Sequence, residues 1–187
     1  NDDVRFDKPP LTYWLMWIPY ALFGVTEASA RLHTVVSAAL LALLLYRTGR
    51  RWSSPAAGFA AGFGMLTCVQ MLIHGRVAVA DMPMILCVAL SQIALYELLH
   101  GEGRRPLWFW TLYLSLGVGF LAKGPIAWAV PLLTLLLHRF VLYRRPLPWR
   151  RLRPGRGLAV TAVLVAAWGL PALIRTGGAF WDVGMGR

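Results

Sequence analysis

Apolar residues fill this chain in long blocks, and the charged residues are confined to the gaps between them. Seven blocks stand out: Leu11–Val25, Leu32–Tyr46, Pro55–Ile73, Met82–Leu99, Leu107–Ala122, Pro125–Leu142 and Leu158–Ile174. A helix that crosses a bilayer needs about 20 apolar residues, with a range near 17–25. The first block is short, contains Pro19 and ends at Gly24, so it predicts a juxtamembrane helix over about 9–25. The other six predict spans once their ends extend slightly, the second taking in Arg31 and His33 near its outer end. Lys123-Gly124-Pro125 interrupts the run from Leu107 to Leu142 and turns it into a hairpin of two helices. The expected fold class is all-α: a polytopic transmembrane helical bundle forming a single unit over residues 1–187.

Composition agrees with that pattern. Of 187 residues, 58% are hydrophobic and only 14% are charged, against about 25% charged in a soluble domain. No signal-peptide layout opens the chain. The polar start Asn1-Asp2-Asp3, without Met, leads us to expect a fragment or a processed product. Cys68 and Cys87 both lie inside apolar blocks with no metal spacing, and are expected to be buried small residues, not a disulfide.

Net charge is +11, yet its distribution argues for topology and against nucleic-acid binding. If the spans alternate, Arg47, Arg50, Arg51, Arg104, Arg105, Arg139, Arg144, Arg145, Arg150, Arg151, Arg153 and Arg156 share one side. Arg5, Lys8, Arg31, Arg76, Lys123, Arg175 and Arg187 share the other. This 12 to 7 split places the Arg-rich loop in the cytoplasm, against anionic inner-leaflet lipid. Asp7, Lys8, Asp81 and Lys123 then all face outward, on the periplasmic or extracellular side of a plasma membrane.

Those outward residues carry the candidate chemistry. In Asp7-Lys8-Pro9-Pro10, Pro9 holds Lys8 extended, so Asp7 and Lys8 point to opposite sides and can serve two partners. The alternative is a helix cap beside a lysine reaching for headgroups. Asp81 precedes Met82-Pro83, which fits an N-cap with Pro in the first turn; its free oxygen could still bind a metal or a donor group. Arg76 and Asp81 would lie about 140° apart on a continuous helix, so no direct pair is expected. Lys123 between two membrane helices is a functional candidate, with snorkelling as the structural alternative. Arg31 can pair with Glu27 one turn away, and His33 and His138 read as interfacial residues at span ends. No phosphate-binding loop, dinucleotide fingerprint, paired-histidine zinc motif or nucleophile elbow is present.

Taken in order, Arg5-Phe6-Asp7-Lys8-Pro9-Pro10-Leu11-Thr12-Tyr13-Trp14, Leu22-Phe23-Gly24, Ala30-Arg31-Leu32, Ala80-Asp81-Met82-Pro83, Leu121-Ala122-Lys123-Gly124-Pro125 and Trp168-Gly169-Leu170-Pro171 resemble one family. The chain is similar to the bacterial lipid A aminoarabinose transferases and related protein-mannosyltransferase-like enzymes, membrane glycosyltransferases of the C-type (GT-C) fold. The resemblance implies transfer of a sugar from a polyprenyl-phosphate carrier to a lipid, glycan or protein acceptor on the periplasmic face. It implies that Lys8 contacts the carrier phosphate, with Lys123 at a family position also suited to phosphate; by charge alone, Arg76 is a further phosphate candidate. It implies that Asp7 and Asp81 belong to the catalytic polar centre, where some members hold a divalent metal; no nucleotide cofactor is expected. The family's usual acidic general base precedes the Asp-Lys-Pro-Pro motif, and the family continues past Arg187, so this chain alone is expected to be inactive.

Two other classes compete. A transporter or flippase subunit would place ionisable groups near mid-membrane, whereas Glu97, the nearest case, lies at a cytoplasmic end. A non-catalytic scaffold would have no need of Asp7, Lys8, Asp81 and Lys123 on one face.

Overall fold

The computed structural model describes residues 9–101, 105–143 and 146–177; among them there are helices and no strand. Asp7 and Lys8 lie outside the described residues, as do Arg5, Arg104, Arg144, Arg145 and Arg187. The helices are α1 (Leu11–Phe23), α2 (Glu27–Trp52), α3 (Pro55–Thr67), α4 (Val69–His74), α5 (Asp81–His100) and α6 (Arg105–Lys123). After them come α7 (Ile126–Leu137), which continues as a π-helical turn over His138–Leu142, then α8 (Trp149–Leu152) and α9 (Pro154–Arg175).

Among the boundaries that differ from the hydrophobic pattern, two have a clear local cause. Helix α2 begins at Glu27, ahead of Leu32, because Thr26 and Ser29 close a capping box. Ser29 N–H donates to Thr26 Oγ1 at 3.1 Å, and Thr26 N–H donates to Ser29 Oγ at 2.9 Å. These bonds satisfy helix-start donors that apolarity alone does not register. The expected Glu27–Arg31 ion pair forms within this first stretch. The Pro55–Ile73 block, in contrast, is not one helix. Cys68 takes an extended backbone, φ −62° and ψ 125°, and separates α3 from α4.

Among the described residues, three segments are long and apolar enough to cross a membrane by themselves: α2, α5 and the stretch Trp149–Arg175. Helix α6 is 19 residues long, with aromatic residues and a charge at each end diluting its apolarity. α1 and Ile126–Leu142 are shorter apolar helices.

Helix α5 is the hub, packed against α2, α6 and α7. Its inner half joins Leu112 and Tyr113 of α6 and Leu152 of α8 in a buried cluster with Ala94, Leu95 and Leu98. Lipid supplies no hydrophobic drive between helices, so close packing and interhelical hydrogen bonds matter more. Gln92 of α5 donates to Thr134 of α7 at 2.7 Å, Trp128 of α7 to the Leu116 carbonyl of α6 at 3.0 Å, and Thr161 of α9 to the Tyr113 carbonyl at 3.0 Å. At Gly58 the chains approach so closely that a Cβ would lie 2.5 Å from the Tyr46 oxygen.

The antiparallel course of these helices sorts the polar residues. The Gly75–Ala80 loop and the α6–α7 turn lie at one end of the bundle, while Arg51, Glu97 and α8 lie at the other. Glu97 is buried, and it is held by Arg51 at 3.2 Å and Trp52 Nε1 at 3.1 Å.

Candidate active site

The site is built where the start of α5 meets the end of α6. An Asp in the first turn of a helix faces a partial positive charge, and a Lys in the last turn faces a partial negative one. Asp81 is the first residue of α5 and Lys123 the last of α6. Because the two helices are antiparallel neighbours, these favourable ends come together, and the Lys123 ammonium bonds Asp81 Oδ1. The pair is partly shielded: side-chain exposure is 25% for Asp81 and 43% for Lys123.

Local geometry explains why Lys123 stops there. Gly124 adopts φ +74°, a left-handed conformation that glycine reaches without a Cβ penalty. Its N–H donates to the Phe120 carbonyl at 2.7 Å, and Pro125 then opens α7. On the other side, Pro83 sits in the first turn of α5, where its missing N–H costs no helical bond. The N-cap is Ala80, not Asp81, and no side chain caps this helix. The capping expectation for Asp81 is therefore corrected: its carboxylate is turned to Lys123, where it gains a full charge partner in place of backbone N–H groups.

The loop ahead of Asp81 is tied to α2 by Thr34, a residue that the sequence did not single out. Thr34, fully buried, donates to the Gly75 carbonyl at 3.2 Å as well as to the Arg31 carbonyl. His33 is buried beside it, and its Nδ1–H donates to the Ala30 carbonyl at 2.9 Å. It lies six residues into α2, packed inside the protein at the same end of the bundle as Asp81. Polar residues recurring at Ser29, His33, Thr34 and Ser37 form a buried stripe at helical spacing, which was the available signal.

Arg76 does not join the Asp81–Lys123 pair, as its angular separation led us to expect. It lines a separate apolar groove of about 260 Å³ with Val35, Ala38, Leu66, Met71 and Leu72. A second apolar groove, about 380 Å³, lies among Trp14, Leu121, Trp168, Pro171 and Arg175. It sets α1, the helix that follows the Asp-Lys-Pro-Pro motif, against α6 two residues from Lys123.

Of the two residues expected at a metal, Asp7 lies outside the described residues, and Asp81 stands without a second acidic ligand among them. None of them forms a group of three His, Cys, Asp or Glu side chains, and Asp81 Oδ1 already faces an ammonium.

Comparison with known proteins decides the class. The family model described as dolichyl-phosphate-mannose-protein mannosyltransferase matches residues 7–171. The chain belongs to this family. Among its relatives is an undecaprenyl phosphate-alpha-4-amino-4-deoxy-L-arabinose arabinosyl transferase of Pseudomonas aeruginosa (strain LESB58), 37% identical over 172 residues. That match covers 88% of this chain and 30% of the relative. The protein with the same description from Aeromonas salmonicida (strain A449) is 32% identical over 175 residues, covering 91% and 31%. The fold is similar to the crystal structure of ArnT from Cupriavidus metallidurans in the apo state, with TM-score 0.87 and 25% identity, covering 95% of this chain and 34% of that one. It is also similar to that protein bound to undecaprenyl phosphate, with TM-score 0.85 and 26% identity, covering 92% and 32%. The chain thus spans about a third of the length of the relatives it matches.

This protein is accordingly a helical membrane bundle of the GT-C glycosyltransferase type. The transporter reading is not favoured. Asp81, Lys123 and Arg76 sit at helix ends and loops, and buried Glu97 is bound to Arg51 at the opposite end.

Proposed function

We propose that this mannosyltransferase-family chain is the donor-binding part of a glycosyltransferase. The enzyme would move a sugar from a polyprenyl-phosphate carrier to a lipid, glycan or protein acceptor. The descriptions of its relatives favour undecaprenyl phosphate-linked 4-amino-4-deoxy-L-arabinose as the donor, and the family resemblance points to lipid A as the acceptor. The observation that carries the reading is the Asp81–Lys123 pair, set at one end of an otherwise apolar bundle beside grooves suited to a prenyl chain.

In this scheme the acceptor hydroxyl oxygen forms a bond to the anomeric carbon as the carbon–phosphate-oxygen bond breaks. The hydroxyl proton passes to the acidic base that the family carries ahead of Asp7, and the carrier leaves as polyprenyl phosphate. The leaving phosphate gains charge, so a fixed cation lowers the barrier. Lys123 is the described ammonium at this end, and Asp81 orients it. Lys8 and Arg76 are assigned to the same anionic headgroup, and Asp7 to the polar centre with Asp81. The six longer apolar segments cross the membrane, α1 lies along its surface, and the Asp81–Lys123 end faces the periplasm.

The test uses the full-length enzyme and a polyprenyl-phosphate-linked aminosugar donor. Lys123→Met and Asp81→Asn should each cut the transfer rate by about a hundredfold to a thousandfold, the range for losing one preorganised electrostatic group. Thermal stability should barely move, since partly exposed ion pairs contribute only about 0.2–1 kcal/mol. Wild-type transfer by both variants would refute the assignment.

A further inference from the structure

We propose that the end of the bundle opposite the Asp81–Lys123 pair holds a dedicated site for an anionic diacyl phospholipid, built from Arg150, Arg153 and Arg156. Short helix α8 is a fixed platform there. Leu152 is buried in the inner cluster, and its carbonyl accepts from Tyr113 Oη at 2.9 Å. Arg151 Nη1 donates to the Leu99 carbonyl at 3.5 Å. Arg153, at the α8–α9 junction, has φ 45° and ψ 54°, the one positive φ among described non-glycine residues. An L-residue is strained there and persists only where its surroundings hold it. The sharp junction lets α9 start directly beside α8, so Arg150, Arg153 and Arg156 line one groove of about 360 Å³.

Like charges gathered in this way need a counter-anion. Among the described residues the carboxylates are Glu27, Asp81 and Glu97. None lines this groove, and Glu97 is bound to Arg51 and Trp52. The occupant is a lipid because the other wall is apolar. Trp110 and Val160 flank the arginines, and the same helix faces continue toward mid-membrane through exposed Leu114 and Val163, one helical turn further along. A phosphodiester would sit among the guanidiniums, which bind phosphate oxygens in a planar fork. The acyl chains would run along the outer seam of α6 and α9. No soluble phosphate would use that apolar extension. The inference is independent of which sugar is transferred.

The experiment is native mass spectrometry of the full-length enzyme extracted from nanodiscs of equal parts phosphatidylglycerol and phosphatidylcholine. The wild type should retain phosphatidylglycerol preferentially. The triple change Arg150→Gln, Arg153→Gln and Arg156→Gln should lower that retention by about tenfold or more, because each arginine near a lipid surface adds its own attraction for an anionic headgroup. Arg153→Gly removes one charge and relieves the backbone, so it should fold and still lower retention. Arg139→Gln, at the same end but outside the groove, should leave retention unchanged. Equal retention by the triple variant would overturn the proposal, as would equal loss in Arg139→Gln. Full displacement by soluble glycerol phosphate would also overturn it.

Discussion

Gly157→Ala is the sharpest structural test of the bundle. Gly157 lies in the first turns of α9, under the ring of Tyr113 on α6, and an added Cβ would fall 2.0 Å from that ring. The ring has little freedom to retreat. Its hydroxyl is bound to the Leu152 carbonyl at 2.9 Å, and its own carbonyl accepts from Thr161 at 3.0 Å. Overpacking of this kind costs about 1–3 kcal/mol. Displacing the ring also removes a buried hydrogen bond of about 0.5–1.5 kcal/mol. Alanine's better helix propensity returns at most about 1 kcal/mol. The net expectation is a loss of about 1–3 kcal/mol, read as a lower thermal midpoint of the full-length protein in detergent. Gly155→Ala in the same helix meets no atom within 4 Å and should stay within about 0.5 kcal/mol of wild type. Combining Gly157→Ala with Tyr113→Leu should recover part of the loss, because residues in contact are not additive. Wild-type stability for Gly157→Ala, or strict additivity in the double variant, would refute the α6–α9 contact.

Three further outcomes are expected. Gly58→Ala would set its Cβ 2.5 Å from the Tyr46 oxygen and 2.7 Å from the Arg50 nitrogen; these are backbone atoms, so α2 and α3 must separate and stability should fall by about 1–3 kcal/mol in the same assay. Arg51→Met should destabilise more than Glu97→Gln, because it strands a buried carboxylate whereas Gln keeps a bond to Trp52 without needing a counter-charge; the reverse order of thermal midpoints would remove the clamp. With Cys68 and Cys87 replaced by Ala, single cysteines at exposed Pro125 and Gly155 should label from opposite sides with an impermeant reagent in intact cells, and equal labelling would sink the topology.

The chain's sequence alone determined the class of solvent, the helical fold and the grouping of charge. Those follow from one-dimensional facts: apolar block length, breaks at Lys123-Gly124-Pro125, and the side on which arginines collect. Local motifs also placed Asp81 and Lys123 at helix ends on a common face. What the one-dimensional pattern could not supply was contact across helices. The capping role expected of Asp81 gave way to Lys123, 42 positions along, because only the antiparallel docking of α5 and α6 brings their ends together. Thr34 gives no sign in the sequence of its bond to the Gly75 carbonyl, which forms only when the Gly75–Ala80 loop folds onto α2. The break at Cys68 lies inside an unbroken apolar block, where hydrophobicity carries no signal of backbone direction. Solvent preference is a property of each residue and is therefore written in the sequence; pairing is a property of two helices, and packing decides it.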